Sequence, residues 1–504
     1  MRNKGIGDWI HRRRVKSAGV PALITGEDVV TYDVLADRID RLANALAEGG
    51  VRAGDRIAYL GENHPAFLET LFAAGSLGAI FVPLNTRLAP PEIAFALWDS
   101  GATVLIYAHD LTELATTGSD SSAVTRWIVA DAPSTDGPAE HLDEIIAGAS
   151  PAHRDEPVDL VDPALILYTS GTTGHPKGAL LTHQNMTWNS FNVLVDYDVT
   201  SETVALMISP IFHAASLGMG VLPTLLKGGT LVLETRFDAG RALELIEQHR
   251  ITALSGVPTT YQMICEHPKW KTTDLSSLRS LTCGGSPVPT RVLDAYEERG
   301  LAFTGGYGMT ETAPAASSLQ ARHSRPKAGS AGLPSFFTDV RIAGPHGEPL
   351  PPGEAGEIQI QGPNVIPQYW QRPEVNADAF ADGDWFRSGD IGFLDDDGFL
   401  FITDRVKDMI ISGGENVYPA EIEQVILELE AVGSVAVVGV QDEKWGEVPR
   451  AYIEVRDGYT LTEEEVKTHL AGRLARYKIP KSVVTMTDMP RTASGKIRKH
   501  QLRS

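Results

Sequence analysis

Cysteine is almost absent: Cys265 and Cys283 are the only two in 504 residues. That excludes a disulfide framework, argues against a cysteine-held metal cluster and fits a reducing cytoplasm. Both read as small buried hydrophobes. Positive charge is also scarce. Lys and Arg number 44 against 65 Asp and Glu, a formal net charge of −21. This argues against a nucleic-acid binder, which needs a basic face to release counterions from phosphate. If the substrates are themselves anionic, each cation near a glycine-rich loop must work against the global field and gains weight as a candidate. Long apolar runs are missing too. The nearest, Phe67 to Leu84, is interrupted by Glu69, two glycines and Pro83. It reads as a buried helix followed by a buried strand, not as a membrane span. The basic run Arg12-Arg13-Arg14-Val15-Lys16 has no apolar stretch after it, so the N-terminus is not a signal peptide. The run could touch anionic lipid, but it reads as part of a solvated first helix.

What is present is a large, ordinary globular composition. Apolar residues make up 42% and charged residues 22%, enough for a sizeable core, and the length asks for at least two domains. Ala22 to Thr25 and Val29 to Thr31 predict a hairpin. Leu35, Ile39, Leu42, Ala43 and Leu46 recur at helical spacing and stop at Gly49-Gly50. Short strands are expected at Arg56 to Leu60, Ile80 to Pro83, Val104 to Tyr107 and Trp127 to Ala130, with a helix from His64 to Leu77. Strands alternating with helices imply α/β architecture with largely parallel sheets. Residues 131–160 read as a surface connection. From Asp339 to about Ile402 the pattern is that of a small β unit. The last hundred residues form a separate module, with a capping-box helix opening at Thr462 and Glu465. The boundary falls near Asp404-Arg405, giving domains 1–404 and 405–504.

The strongest chemical signal follows the buried strand Ala164 to Tyr168: Thr169-Ser170-Gly171-Thr172-Thr173-Gly174-His175-Pro176-Lys177. Backbone N–H groups, hydroxyls and one ammonium suit a polyphosphate. It is not a Walker A loop, because Gly178 stands where Ser or Thr would follow the lysine. Further runs keep it company: Gly306-Tyr307-Gly308-Met309-Thr310-Glu311, Ser388-Gly389-Asp390, Asp404-Arg405-Val406-Lys407-Asp408 and Pro490-Arg491-Thr492-Ala493-Ser494-Gly495-Lys496. Together, and in this order, they resemble the acyl-adenylate-forming superfamily over nearly the whole chain.

The resemblance implies a large N-terminal domain of two helix-flanked sheets and a distorted β-barrel, capped by a small mobile C-terminal α+β domain. It implies an ATP-dependent acid–CoA ligase, with ATP, coenzyme A and a carboxylic acid as partners and Mg²⁺ as cofactor. Residue roles follow by motif. Thr169 to Lys177 would hold the β- and γ-phosphates. Glu311 would bind Mg²⁺, with the Thr169 hydroxyl on the metal or a phosphate. One carboxylate with ATP oxygens suffices for so hard an ion. Gly284-Gly285-Ser286 and Gly306-Tyr307 would line the adenine, with Gly308, Met309 and Thr310 in the same run and Tyr307 stacking on the base. Asp390 would accept from the ribose hydroxyls, and Arg405 would donate to ribose or phosphate. Lys496 would bridge the carboxylate and the α-phosphate, two anions that otherwise repel. Lys407 occupies the hinge position, and Ser412-Gly413-Gly414-Glu415 resembles the loop that enters the site for thioester formation. CoA attacks the mixed anhydride directly, so no cysteine nucleophile is needed.

His213 falls where the family lines the acyl pocket and gates the tunnel. An Asp there would hold an α-ammonium group, so His disfavours an amino-acid substrate. Gly306 leaves space and no charge where dicarboxylate ligases keep a cation. Val257, Pro258, Thr259 and Met309 would add apolar wall. The expectation is a monocarboxylic acid with an apolar body, a fatty acid ahead of an aryl or aryl-propenoic acid. An acyl-AMP ligase loading a carrier protein, and a nucleotide-binding regulator without catalysis, are the alternatives.

Overall fold

The computed structural model describes residues 2–131, 139–169, 176–284, 288, 290–405, 410–417, 419–456, 458–490, 497 and 499–502. Among these, the strands form four sheets. An eight-stranded sheet runs, edge to edge, through Gln368–Tyr369, Lys177–Thr182, Pro163–Thr169, Ile80–Leu84, Arg56–Leu60, Val104–Tyr107, Arg126–Val129 and Glu140–His141. A nine-stranded sheet begins at Leu333–Pro334, Ala315–Leu319 and Phe303–Gly308 and ends on the hairpin of Pro21–Thr25 with Asp28–Thr31. The central strands of both sheets pair in parallel. Those of the eight-stranded sheet, Arg56–Leu60, Ile80–Leu84 and Val104–Tyr107, are nearly wholly apolar and buried, as βαβ strands covered on both faces must be. One core joins the two sheets through Ile57, Phe67, Phe81, Leu165, Leu217 and Leu231. A five-stranded antiparallel sheet carries Gly356–Gln361, Trp385–Leu394 and Leu400–Arg405. The last sheet belongs to the C-terminal part and has its own core, with Ile422, Val437, Ile453 and Val466 fully buried. The α/β class with a separate C-terminal domain is therefore as the sequence implied.

The stretch tested as a membrane span is the helix Pro65–Leu77 followed by the strand Ile80–Leu84, both buried. No helix among the described residues is long and apolar enough to cross a membrane. Two expectations need correction. The first helix, Trp9–Lys16, is not simply solvated: Trp9 and Ile10 are buried in the main core, and Arg13 donates to the Leu226 carbonyl. The pattern of basic residues hid a two-residue apolar anchor. Residues 131–160 are also more than a connection, since they hold the strand Glu140–His141 and the helix Leu142–Gly148, whose Leu142 and Ile146 are buried.

The N-terminal segment is seated on His183, the fully buried first residue of the helix His183–Asp196. Its Nδ1 accepts from the Ile6 N–H at 3.1 Å, while Nε2 has no partner. Burial pulls its proton affinity down to about 4, partly opposed by Asp162. A histidine depressed on folding stabilises the fold above its unfolded value near 6.5, and that stability fades as pH falls toward 4. Wild-type protein is expected to lose about 3 kcal/mol over that interval on this residue's account. Urea unfolding at pH 7 and pH 4.5 should show His183→Gln losing markedly less. An equal loss in both proteins would remove His183 as the cause.

Candidate active site

The strand Pro163–Thr169 pairs antiparallel with Lys177–Thr182, with Thr169 opposite Lys177, so the two ends of the phosphate-type segment lie side by side in the sheet. Ser170, Gly171, Thr172, Thr173 and Gly174 lie outside the described residues. Between these ends the Thr169 hydroxyl donates to the Lys177 carbonyl at 3.4 Å. The Lys177 ammonium lies 5.7 Å from the centre of the Tyr369 ring, a cation–π contact. Tyr369 comes from the short edge strand Gln368–Tyr369, paired with Ala179 and Leu180.

The Tyr369 hydroxyl donates to Glu311 Oε1 at 2.8 Å. Glu311 sits in a single helical turn, Thr310–Thr312, and is 7% exposed. Burial raises its proton affinity, the hydrogen bond from Tyr369 lowers it, Asp390 raises it and Lys177 lowers it. Thr169, Lys177, Tyr369 and Glu311 thus stand together, with a buried anion facing a hydroxyl and an ammonium. Tyr369 was not foreseen: a Tyr after Gln in a Pro-rich stretch carries no signal until the edge strand brings it round.

The strand Phe303–Gly308 lies between Ser280–Cys283 and Ala315–Leu319. Among the described residues nothing stands within 4 Å of the Cβ direction of Gly284. Gly285 and Ser286 fall outside the described residues. Gly306 is different from the expectation. A Cβ there would stand 2.4 Å from the Ser317 carbonyl oxygen and 3.2 Å from the Tyr197 hydroxyl. Its glycine serves strand packing and does not leave space for a substrate. Gly308 is under the same constraint from the Pro314 carbonyl. Tyr307 donates its hydroxyl to Asp390 Oδ2 at 2.6 Å, so two residues assigned separately from motifs are one hydrogen-bonded pair. Asp390 is 9% exposed and its backbone pairs with Arg405 across neighbouring strands.

The C-terminal domain enters this region. Ile410–Ser412 and Glu415–Val417 form a hairpin with Ser412 opposite Glu415. Its tip, Gly413-Gly414, has φ of 58° and 85°, the left-handed pair that a two-residue turn requires. Gly414 comes against Val257, one of the expected wall residues. Glu415, 3% exposed, is held from the N-terminal side by Arg87 at 2.7 Å, His213 Nε2 at 3.2 Å and Asn85 at 3.4 Å. Burial would raise its proton affinity, but His213, Arg87 and Asn85 outweigh that and bring it to about 2. His213 therefore meets the C-terminal hairpin, with a side chain 39% exposed on its other side. Arg87 and Asn85 were missed, because the Asn-Thr-Arg turn that presents them carries no motif. Lys407 and Lys496 lie outside the described residues, and of Arg405 only the backbone is described.

With this geometry in hand, comparison with known proteins decides the family. Models of the AMP-binding enzyme and of the AMP-binding enzyme C-terminal domain match residues 10–370 and 421–496. The chain belongs to the AMP-binding enzyme family. It is 52% identical to a feruloyl-CoA synthase of Amycolatopsis sp over 503 residues, covering 100% of this chain and 99% of that one. It is 41% identical to an indoleacetate–CoA ligase of Aromatoleum aromaticum, covering 99% and 97%. A solved o-succinylbenzoate CoA synthetase double mutant from Bacillus subtilis, bound with its product analogue, superposes with a TM-score of 0.87 at 32% identity and 98% coverage of both chains. This AMP-binding enzyme is an ATP-dependent acyl-CoA ligase, an acid–thiol ligase that uses a carboxylic acid, ATP and CoA.

Proposed function

We propose that the protein joins an aryl-substituted monocarboxylic acid, of the aryl-propenoic or aryl-acetic type, to CoA through an acyl-adenylate. The observation that carries this reading is the end-to-end 52% identity to a feruloyl-CoA synthase, with the indoleacetate ligase in support. The sequence alone put a fatty acid first, because apolar wall residues do not distinguish an alkyl chain from a ring. The similarity to the feruloyl-CoA synthase and the indoleacetate ligase supports the aryl class.

In the proposed adenylation step, the Thr169 to Lys177 segment holds the ATP phosphates. Tyr307 presets the Asp390 carboxylate for the ribose hydroxyls, and Arg405 donates beside it. Glu311 suits Mg²⁺: it is a buried carboxylate whose charge is disfavoured by its surroundings, so a hard cation at its free side supplies the missing compensation. Bound there, Mg²⁺ would neutralise developing charge on the phosphates. Lys496 offsets repulsion between the acid and the α-phosphate. In the second step the Gly413-Gly414 tip, seated against Val257 beside the Glu415–His213 pair, gives the thiol of CoA a way past the backbone to the acyl carbonyl. AMP leaves as the carbon–sulfur bond forms.

ATP–pyrophosphate exchange with cinnamic-type, indoleacetic, benzoic and C8–C16 fatty acids tests the substrate class. Thioester formation is then measured with the same acids on adding CoA. An aryl-propenoic or aryl-acetic acid should exceed every fatty acid in kcat/KM by about 10- to 100-fold, the discrimination a shaped apolar pocket supplies. A fatty acid at the head of the series would overturn the proposal.

A further inference from the structure

A second polar cluster lies away from the adenylation residues, where three distant segments meet. His11 comes from the first helix, Asp40 from the helix Tyr32–Glu48, and His153 from the stretch after Ala149. One ligand atom from each lies within 4.8 Å of the other two. Asp40 is 2% exposed; the His11 and His153 side chains are 33% and 22% exposed. His153 Nδ1 is 2.9 Å from Asp40 Oδ1, and its Nε2 is 3.3 Å from Asp8 Oδ1. His11 Nδ1 is 3.5 Å from Asp40 Oδ2.

Three buried atoms in this one place make no hydrogen bond: His11 Nδ1, Asp40 Oδ2 and Asp8 Oδ1. Each has only an ionic neighbour that is too far or too poorly aligned to be a hydrogen bond: His11 Nδ1 and Asp40 Oδ2 face each other at 3.5 Å, and Asp8 Oδ1 faces His153 Nε2 at 3.3 Å. Buried polar atoms are rarely left without a hydrogen bond. Arginine does not resolve them. Arg14 stays 3.5 Å from Asp40 Oδ2 and is 38% exposed, and Arg12 engages the other oxygen of Asp8, Oδ2, at 2.6 Å.

We propose that His11, Asp40 and His153 bind a divalent transition ion of the zinc type, with Asp8 orienting His153. One ion accounts for all three orphaned atoms. His11 Nδ1 and Asp40 Oδ2 become ligands. His153 binds through Nδ1, so its ring carries the proton on Nε2, where Asp8 Oδ1 accepts it. A carboxylate behind a metal-bound histidine in this way fixes both tautomer and ring direction. Two imidazoles with one carboxylate select zinc, cobalt or nickel over magnesium or calcium, which prefer all-oxygen sites. The fourth position is left for water. The two rings now lie face to face with centroids 3.4 Å apart, 14° from parallel. The ion enters as the more exposed ring, His11, turns, and Arg14 swings outward. The consequence is a staple fastening the first helix to the second and to the chain after Ala149.

The test uses untagged full-length protein, stripped with chelator. Zinc chloride is followed by calorimetry and thermal unfolding, and cobalt chloride by visible absorption. Saturable uptake of one ion per chain, a raised thermal midpoint and cobalt bands of a nitrogen–oxygen site are expected. Asp40→Asn and His153→Gln should lose the binding and the thermal shift while keeping ATP–pyrophosphate exchange in magnesium. Asp8→Asn should weaken affinity by about 10- to 100-fold. If His153→Gln fails to fold, His11→Gln replaces it, being at the exposed side. No zinc-dependent shift in wild type, or variants that bind as wild type does, would overturn the site.

Discussion

Glu311→Gln should lower ATP–pyrophosphate exchange by about 100- to 1,000-fold, the usual effect of removing one preorganised electrostatic group. The variant isolates charge from shape. Gln keeps the volume, and its amide oxygen can still accept from the Tyr369 hydroxyl that now reaches Oε1 at 2.8 Å. What disappears is the anion that a metal-bound polyphosphate needs. Folding should not suffer. Burial raises the proton affinity of Glu311, so the ionised form weighs against the empty fold. A carboxyl raised on folding gives its stabilisation below its unfolded value near 4.5 and loses it as pH climbs through the raised one. At pH 7 the Gln variant should therefore unfold at an equal or higher urea concentration than wild type. Exchange within about threefold of wild type, with saturating magnesium, would dismiss Glu311 as the metal-binding carboxylate.

Lys478→Met should separate the two half-reactions. Lys478 belongs to the C-terminal domain yet is 2% exposed, with its ammonium 2.5 Å from Glu92 of the N-terminal domain and 2.9 Å from Glu421 of its own. Glu92 also caps its helix through the Ala89 N–H. One cation thus serves two buried carboxylates on opposite sides of a domain boundary. Burial opposes the charge on Lys478, but Glu421 and Glu92 outweigh it and raise its proton affinity. Burial raises that of Glu421 despite Lys478. Removing one partner from a buried ion pair costs about 3–5 kcal/mol. That would reduce the docked arrangement by about 100-fold or more. This arrangement is the one that seats the Gly413-Gly414 tip, so thioester formation should fall about 100-fold, while exchange without CoA stays within about threefold. Equal losses in both steps would mean that the contact serves general stability. The pH sign follows from Glu421: docking is supported while it is protonated and weakens as pH rises through its raised value. Thioester formation in wild type should therefore fade on the alkaline side before exchange does.

Periodicity and punctuation carried most of the secondary structure, because buried parallel strands and amphipathic helices write their environment directly into residue order. Residues 67–84 illustrate this: Glu69, two glycines and Pro83 sufficed to read a buried helix and strand in place of a membrane span. The first helix was harder. Its four basic residues dominate the pattern, and only Trp9 and Ile10 touch the core. The motif residues Glu311, Tyr307 and Asp390 were legible singly. Their partners were not, because Tyr369, Arg87 and Asn85 reach the site through strand edges and turns far off in the chain. The Lys478 contact was invisible for the same reason: it depends on how two domains meet.

Gly306 bears on engineering. A tempting way to convert such a ligase to dicarboxylates is to install an arginine beside the Tyr307 run. The carbonyl of Ser317 occupies the place where the first carbon of that side chain would go. An arginine could enter only if the strand Ala315–Leu319 moved away, and that strand begins just after the turn carrying Glu311. Retargeting toward diacids would have to bring its cation from another wall, such as the helix that begins after Val257.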